Sequence, residues 1–123
     1  MPLQVTFRGL PPSEAVEQNI REKVEKLEQT YDKIIACKVV VDSEHHHKHQ
    51  GNLYHVRIEL KVPKKEIVVS REHHENHAHE DVYVVIRDAF NAARRQLEDH
   101  TRVGRQSIKN QENDRVFDKD NVN

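Results

Sequence analysis

The segment Glu80–Arg102, EDVYVVIRDAFNAARRQLEDHTR, constrains this chain more than any other stretch. Val82, Val85, Ile86, Ala89, Phe90, Ala93 and Leu97 follow the i, i+3, i+4, i+7 spacing of an amphipathic helix. At about 100° per residue they gather on one side, and Arg87, Arg94 and Arg102 fall in a stripe about 80° wide nearly opposite. Arg105 joins that stripe if the helix reaches it. Burying the large apolar side chains contributes roughly 7–15 kcal/mol before ordering costs. The helix is therefore a main part of any core this chain can build. From periodicity alone the arginines read as a solvated face with i,i+4 ion pairs, since Glu98 stands within reach of both Arg94 and Arg102.

The rest of the chain supplies what that helix packs against. Leu3, Val5 and Phe7 alternate with polar residues, which predicts a half-buried strand that stops at Gly9–Pro12. Ser13 is placed to cap a helix to about Tyr31, with Glu14 and Glu17 at its positive end. Its apolar seam is Val16, Ile20, Val24, Leu27 and Tyr31, and Lys23 and Lys26 are its outward cations. Glu17–Arg21 and Glu22–Lys26 are favourable i,i+4 pairs. Ile34–Asp42 is a β-branched strand. Ser43–Asn52, with His45, His46, His47 and His49, reads as a polar loop. Tyr54, Val56, Ile58, Leu60 and Val62 alternate with charged residues in the clearest strand of the chain. After the Pro63-Lys64-Lys65 turn, Glu66–Arg71 pairs back. A second polar loop carries His73, His74, His77 and His79.

The order is βαβββα. A helix between the first two strands makes them a parallel pair, and the remaining turns are hairpins. The expected architecture is α+β, a two-layer sandwich with a four-stranded mixed sheet and two helices on one face. The two histidine loops then fall at the same end of the sheet. After Gly104 the apolar pattern stops, so residues 1–103 read as one domain and 104–123 as a flexible polar tail.

Composition narrows the chemistry. The net charge is −1 over 123 residues, so there is no global basic field, and any nucleic-acid contact has to come from a local patch. The lone Cys37 leaves no internal disulfide and reads as a small buried strand residue. No segment is long and apolar enough to span a bilayer and the N-terminus lacks a signal pattern, so a cytoplasmic protein is expected. No catalytic triad, nucleotide fingerprint or glycine-rich phosphate loop is present, and Glu80 and Asp81 at a helix start are explained by capping. We read no enzyme, no cofactor and no small-molecule substrate. The histidines suit zinc, copper or nickel, but no helix-borne His pair or HExxH accompanies them and no metal ligand set is assigned. They also suit contact with RNA. Two rival readings stay open: a metal-binding protein using the histidine loops, and a protein-interaction regulator using the open sheet face.

Lys26-Leu27-Glu28, then His79-Glu80-Asp81-Val82-Tyr83 with Ile86, and Arg95-Gln96-Leu97 resemble the ribosome hibernation factors. That family includes hibernation promoting factor and ribosome-associated inhibitor A. It is also labelled ribosomal subunit interface protein, or sigma factor modulator. The resemblance spans about residues 3–103 and carries the same βαβββα order. It implies a stationary-phase or stress-response factor that sets the basic side of both helices against small-subunit ribosomal RNA, in the cleft for tRNA and message. The residues implied are Lys26 and Arg95, with Lys23, Arg87, Arg94, Arg102 and Arg105 as this chain's further cations on the exposed faces. Where the family usually carries lysines, after Arg-Gln-Leu, this chain has Glu98-Asp99-His100-Thr101.

Overall fold

Period-2 alternation builds the sheet. The computed structural model describes residues 1–45, 52–72 and 81–117. Among them the strands are β1 (Leu3–Arg8), β2 (Ala36–His45), β3 (Asn52–Val62) and β4 (Lys65–Glu72). They lie in the order β1-β2-β3-β4, with β1 and β2 parallel and the other neighbours antiparallel. The register sets Val5 beside Val39 and Val39 beside Ile58, and sets Ile58 beside Val69. One pleat face thus carries a continuous apolar row, and the other carries Lys38, Glu59 and Lys61. Val40 lies on that second face yet is buried, because β2 is a central strand and its neighbours in register are Thr6 and Arg57.

The helices α1 (Glu14–Thr30) and α2 (Val82–Phe117) cover the apolar face. Ser13 caps α1: its side-chain oxygen accepts from the Val16 amide at 3.2 Å. Asp81 does the same for α2, accepting from the Tyr83 amide at 2.9 Å. Val16, Ile20, Val24 and Leu27 of α1 meet Val85, Ile86, Ala89, Ala93 and Leu97 of α2 and the sheet in one core. Helix α2 packs on β3 and β4 and touches α1. Both helices run back from the end of the sheet where β2 and β4 finish, so they point the same way.

The structure departs from the sequence expectation at three places: the strand expected from Ile34 begins at Ala36, with Ile35 exposed, and the other two are the first histidine loop and the end of α2. The sequence reading assigned Ser43–Asn52 to a loop, whereas β2 runs to His45 and β3 begins at Asn52, which pairs with it. Ser43 continues the inward alternation of Val39 and Val41 and is buried, although its polarity suggested a loop. It also placed the end of the helix near Arg102 and a flexible tail from Gly104, whereas α2 continues as helix through Phe117. A glycine inside a helix costs only about 1 kcal/mol, and good helix formers (Arg105, Gln106, Lys109, Gln111, Glu112) surround this one.

Two positions give measurable consequences. Gly9 has φ +73°, and a Cβ there would collide with the Ser43 carbonyl oxygen. Gly9→Ala should therefore lower stability by about 1–3 kcal/mol in urea unfolding. Burial pushes the Cys37 thiol up from 9.0 to about 12, and the Glu28 carboxylate adds to the effect. The folded protein holds this proton more tightly than the unfolded chain. Its contribution to stability is complete below about pH 9 and declines as the pH rises toward 12. The native protein should resist a thiol reagent at about pH 8 and react fully once unfolded.

Candidate nucleic-acid interface

Helical periodicity decides which charges share a surface. On α1, Asn19, Lys23, Lys26 and Thr30 occupy one flank of the buried ridge, and Glu17, Arg21 and Glu28 the other. The Met1 amino group lies 3.4 Å from the Glu28 carboxylate, which turns the acidic flank toward β1. On the opposite flank Asn19 Oδ1 is fully buried and without a hydrogen-bond partner among the described residues. Something must cover it, and α2 is the helix in contact with α1. Lys23, half-buried, and Lys26, exposed, therefore face α2.

On α2 the flanks are fixed by β4. Asp88, Asn91 and Arg95 line a small cleft with Arg71 and Glu72. The other flank, with Tyr83, Phe90, Arg94 and Thr101, accordingly faces α1. A second cleft lined by both Thr30 and Thr101 agrees with this arrangement. Arg87 and Arg94 are exposed and sit within about 20° of each other on the α1 side of the helix crest. The groove between the helices is thus bordered by Lys23 and Lys26 on one side and by Arg87 and Arg94 on the other.

The remaining predicted cations do not all join that group. Arg95 is about 100° round the helix from Arg94 and turns toward β4. Arg102 is exposed further along α2. The helix passes through Arg105, whose side chain lies outside the described residues. Arg71 of β4, which the sequence reading passed over, stands with Arg95 at the same cleft. The signal for it was the alternation Ile67, Val69, Arg71, which puts the guanidinium on the helix side of the sheet.

These arginines are not locked into the fold. Arg87 lies 3.5 Å from the half-buried Asp88 and Arg102 lies 3.1 Å from the exposed Asp99, and both arginines are exposed. Such pairs contribute about 0–1 kcal/mol and are screened by salt. The expected pairing of Glu98 with Arg94 or Arg102 is not formed among the described residues, nor is Glu22–Lys26, whereas Glu17–Arg21 is, at 2.8 Å. Arg94 and Arg95 enter no ion pair among the described residues.

Of the predicted histidine cluster, His45 ends β2 in register with Asn52. His46, His47, His49, His73, His74, His77 and His79 lie outside the described residues. The strand ends that carry the two loops, His45 and Glu72, do fall at one end of the sheet. Among the described residues no group of three or more His, Cys, Asp or Glu side chains is placed to hold a metal ion.

A four-stranded mixed sheet under two helices, in the order βαβββα, is the fold of a ribosomal subunit interface protein. The structure of a ribosomal subunit interface protein from Coxiella burnetii matches with a TM-score of 0.66 at 19% identity, over 82% of this chain and 98% of that one. The N-terminal domain of Protein Y from Thermus thermophilus matches with a TM-score of 0.63 at 18% identity, over 81% and 99%. Residues 3–103 match the family described as sigma 54 modulation protein / S30EA ribosomal protein, and the chain belongs to that family. It is a family of ribosome-associated modulators, not of enzymes. No curated protein matches the chain.

The weakness of the exposed pairs is open to measurement. Asp99→Asn should shift the stability of the folded protein by less than about 0.5 kcal/mol in chemical unfolding. A loss of several times that would mean Arg102 is held in place by the fold.

Proposed function

We propose that this protein is a ribosome-binding translation inhibitor of the cytoplasm, acting without catalysis. In this reading it occupies the tRNA and message cleft of the small subunit and holds ribosomes idle in stationary phase or under stress. The observation that carries the reading is the groove bordered by Lys23, Lys26, Arg87 and Arg94 in a chain whose net charge is only −1. Phosphate-rich RNA is bound by cations on a rigid frame, and here two packed helices supply the frame. Arg95 and Arg102 add further exposed cations on α2, and Arg71 stands beside Arg95 at the β4 cleft together with Glu72 and Asp88. In this reading residues 1–103 make up the RNA-contacting domain and residues 104–123 form a C-terminal extension of it.

A double-stranded or structured RNA surface is recognised by shape and backbone, so affinity should depend strongly on salt. Lys26→Glu, Arg87→Glu and Arg94→Glu combined should abolish co-sedimentation with small subunits and whole ribosomes in sucrose gradients at low salt. Removing these cations should lower the slope of log K against log salt by about 2–3. The fold should be untouched, since exposed substitutions of this kind usually move stability by no more than about 0.5 kcal/mol. Co-sedimentation of the triple variant at the wild-type level would refute this face. The family description also names sigma 54 modulation, and the open sheet face with its Arg57–Glu59 pair at 3.2 Å is the surface a protein partner would meet. Capture of that partner would survive RNase, whereas ribosome association would not.

A further inference from the structure

The basic groove ends in a cavity. Past Lys26 and Arg94, where α1 stops, a cleft of about 350 Å³ opens between the two helices and the β3–β4 turn. That volume falls within the range of small-ligand sites, which combine apolar walls with a few polar groups. Ile34, Val62, Pro63 and Leu97 form its walls, and Ile34, Val62 and Leu97 are themselves buried core residues. The rings of Tyr31 and His100, both half-buried, line it together with the Thr101 side chain.

The chemistry of the rim selects the ligand. The last turn of α1 carries no basic residue, so the negative end of its dipole stands at the cleft, with the Leu27 carbonyl accepting from the Tyr31 amide at 2.8 Å. The exposed Asp32 adds a carboxylate and the exposed Lys33 beside it an ammonium. With one carboxylate, one ammonium and a helix C-terminus, such a rim offers a phosphate no net attraction. A flat, largely apolar group that brings N–H donors is favoured. Thr30, on the α1 flank that carries Lys26, donates its hydroxyl to the Lys26 carbonyl at 3.2 Å, so the cavity is continuous with the cationic border. About one helical turn, roughly 5–6 Å, separates Lys26 from Thr30.

We propose that this cavity receives a single unstacked nucleobase from the RNA whose backbone follows the basic groove. The proposal rests on the RNA-binding reading above and deepens it: the groove takes phosphates and the cavity takes one base. Splayed bases stacked on His and Tyr rings are the usual means by which proteins read single-stranded RNA.

The test compares an oligoadenylate eight nucleotides long with its abasic ribose-phosphate counterpart, by fluorescence anisotropy on the full chain. Wild type should bind the base-bearing strand about tenfold more tightly than the abasic one, as one stacked base predicts. His100→Ala removes a ring and Thr101→Leu fills the space, and each should bring the base-bearing strand down to the abasic level while leaving abasic binding unchanged. Arg94→Glu should weaken both strands alike. Equal wild-type affinity for the two strands overturns the cavity proposal while leaving the groove reading intact. If the cavity variants lose the preference but Arg94→Glu changes nothing, the groove reading falls and the cavity stands. If neither strand binds, both fall. The wild-type comparison needs no variant, so a misfolded substitution cannot rescue the idea.

Discussion

The apolar face of the sheet can be hidden only by two helices laid side by side, and most of this molecule follows from that. Val39, Val41, Val56, Ile58 and Leu60 are essentially without solvent contact. A single helix about 10 Å across covers only about two strands spaced about 4.8 Å apart. The second helix is therefore a geometric requirement of the four-stranded sheet. Once both ridges point inward, the flanks that carry Lys23 and Lys26 on α1 and Arg94 on α2 have to border the same groove.

That juxtaposition explains how a nearly neutral chain presents a cationic surface. Two of the five glutamates of α1, Glu17 and Glu28, sit on the flank toward β1, where Glu28 meets the terminal amino group. The open sheet face interleaves charges of both signs, as in the register of Lys38 with Glu59 and Lys61 with Glu66. Opposite charges thus alternate across the sheet, while Lys23, Lys26, Arg87 and Arg94 gather at the groove between the helices. A Debye length of about 8 Å at physiological salt keeps the two regions electrostatically distinct.

Much of this was legible in the residues. The strict alternation of β3, the seam Val16-Ile20-Val24-Leu27 and the seven apolar positions of α2 named their own inward sides, because burial on one side is what creates such periods. The strand order followed from connection lengths. What stayed hidden was whatever depends on neighbours far away in sequence. Ser43 looked like a loop residue, yet its position in the pleat keeps it inside. Arg71 looked like the end of an edge strand until Asp88 and Arg95 were set beside it. The split between Arg94 and Arg95, adjacent in sequence and turned to opposite sides of α2, needed the location of β4 to give it meaning. The cavity at the ends of the helices is assembled from three separate segments, and no single stretch announces it.

Because α1 and α2 start at the same end of the sheet, capped by Ser13 and Asp81, their peptide dipoles add instead of cancelling. The molecule therefore has a built-in polarity along the groove, positive at one pole and negative at the other. An electric field exerts a torque on such an object even when its total charge is close to zero. Approaching a polyanion, the protein would be rotated into alignment before any side chain made contact.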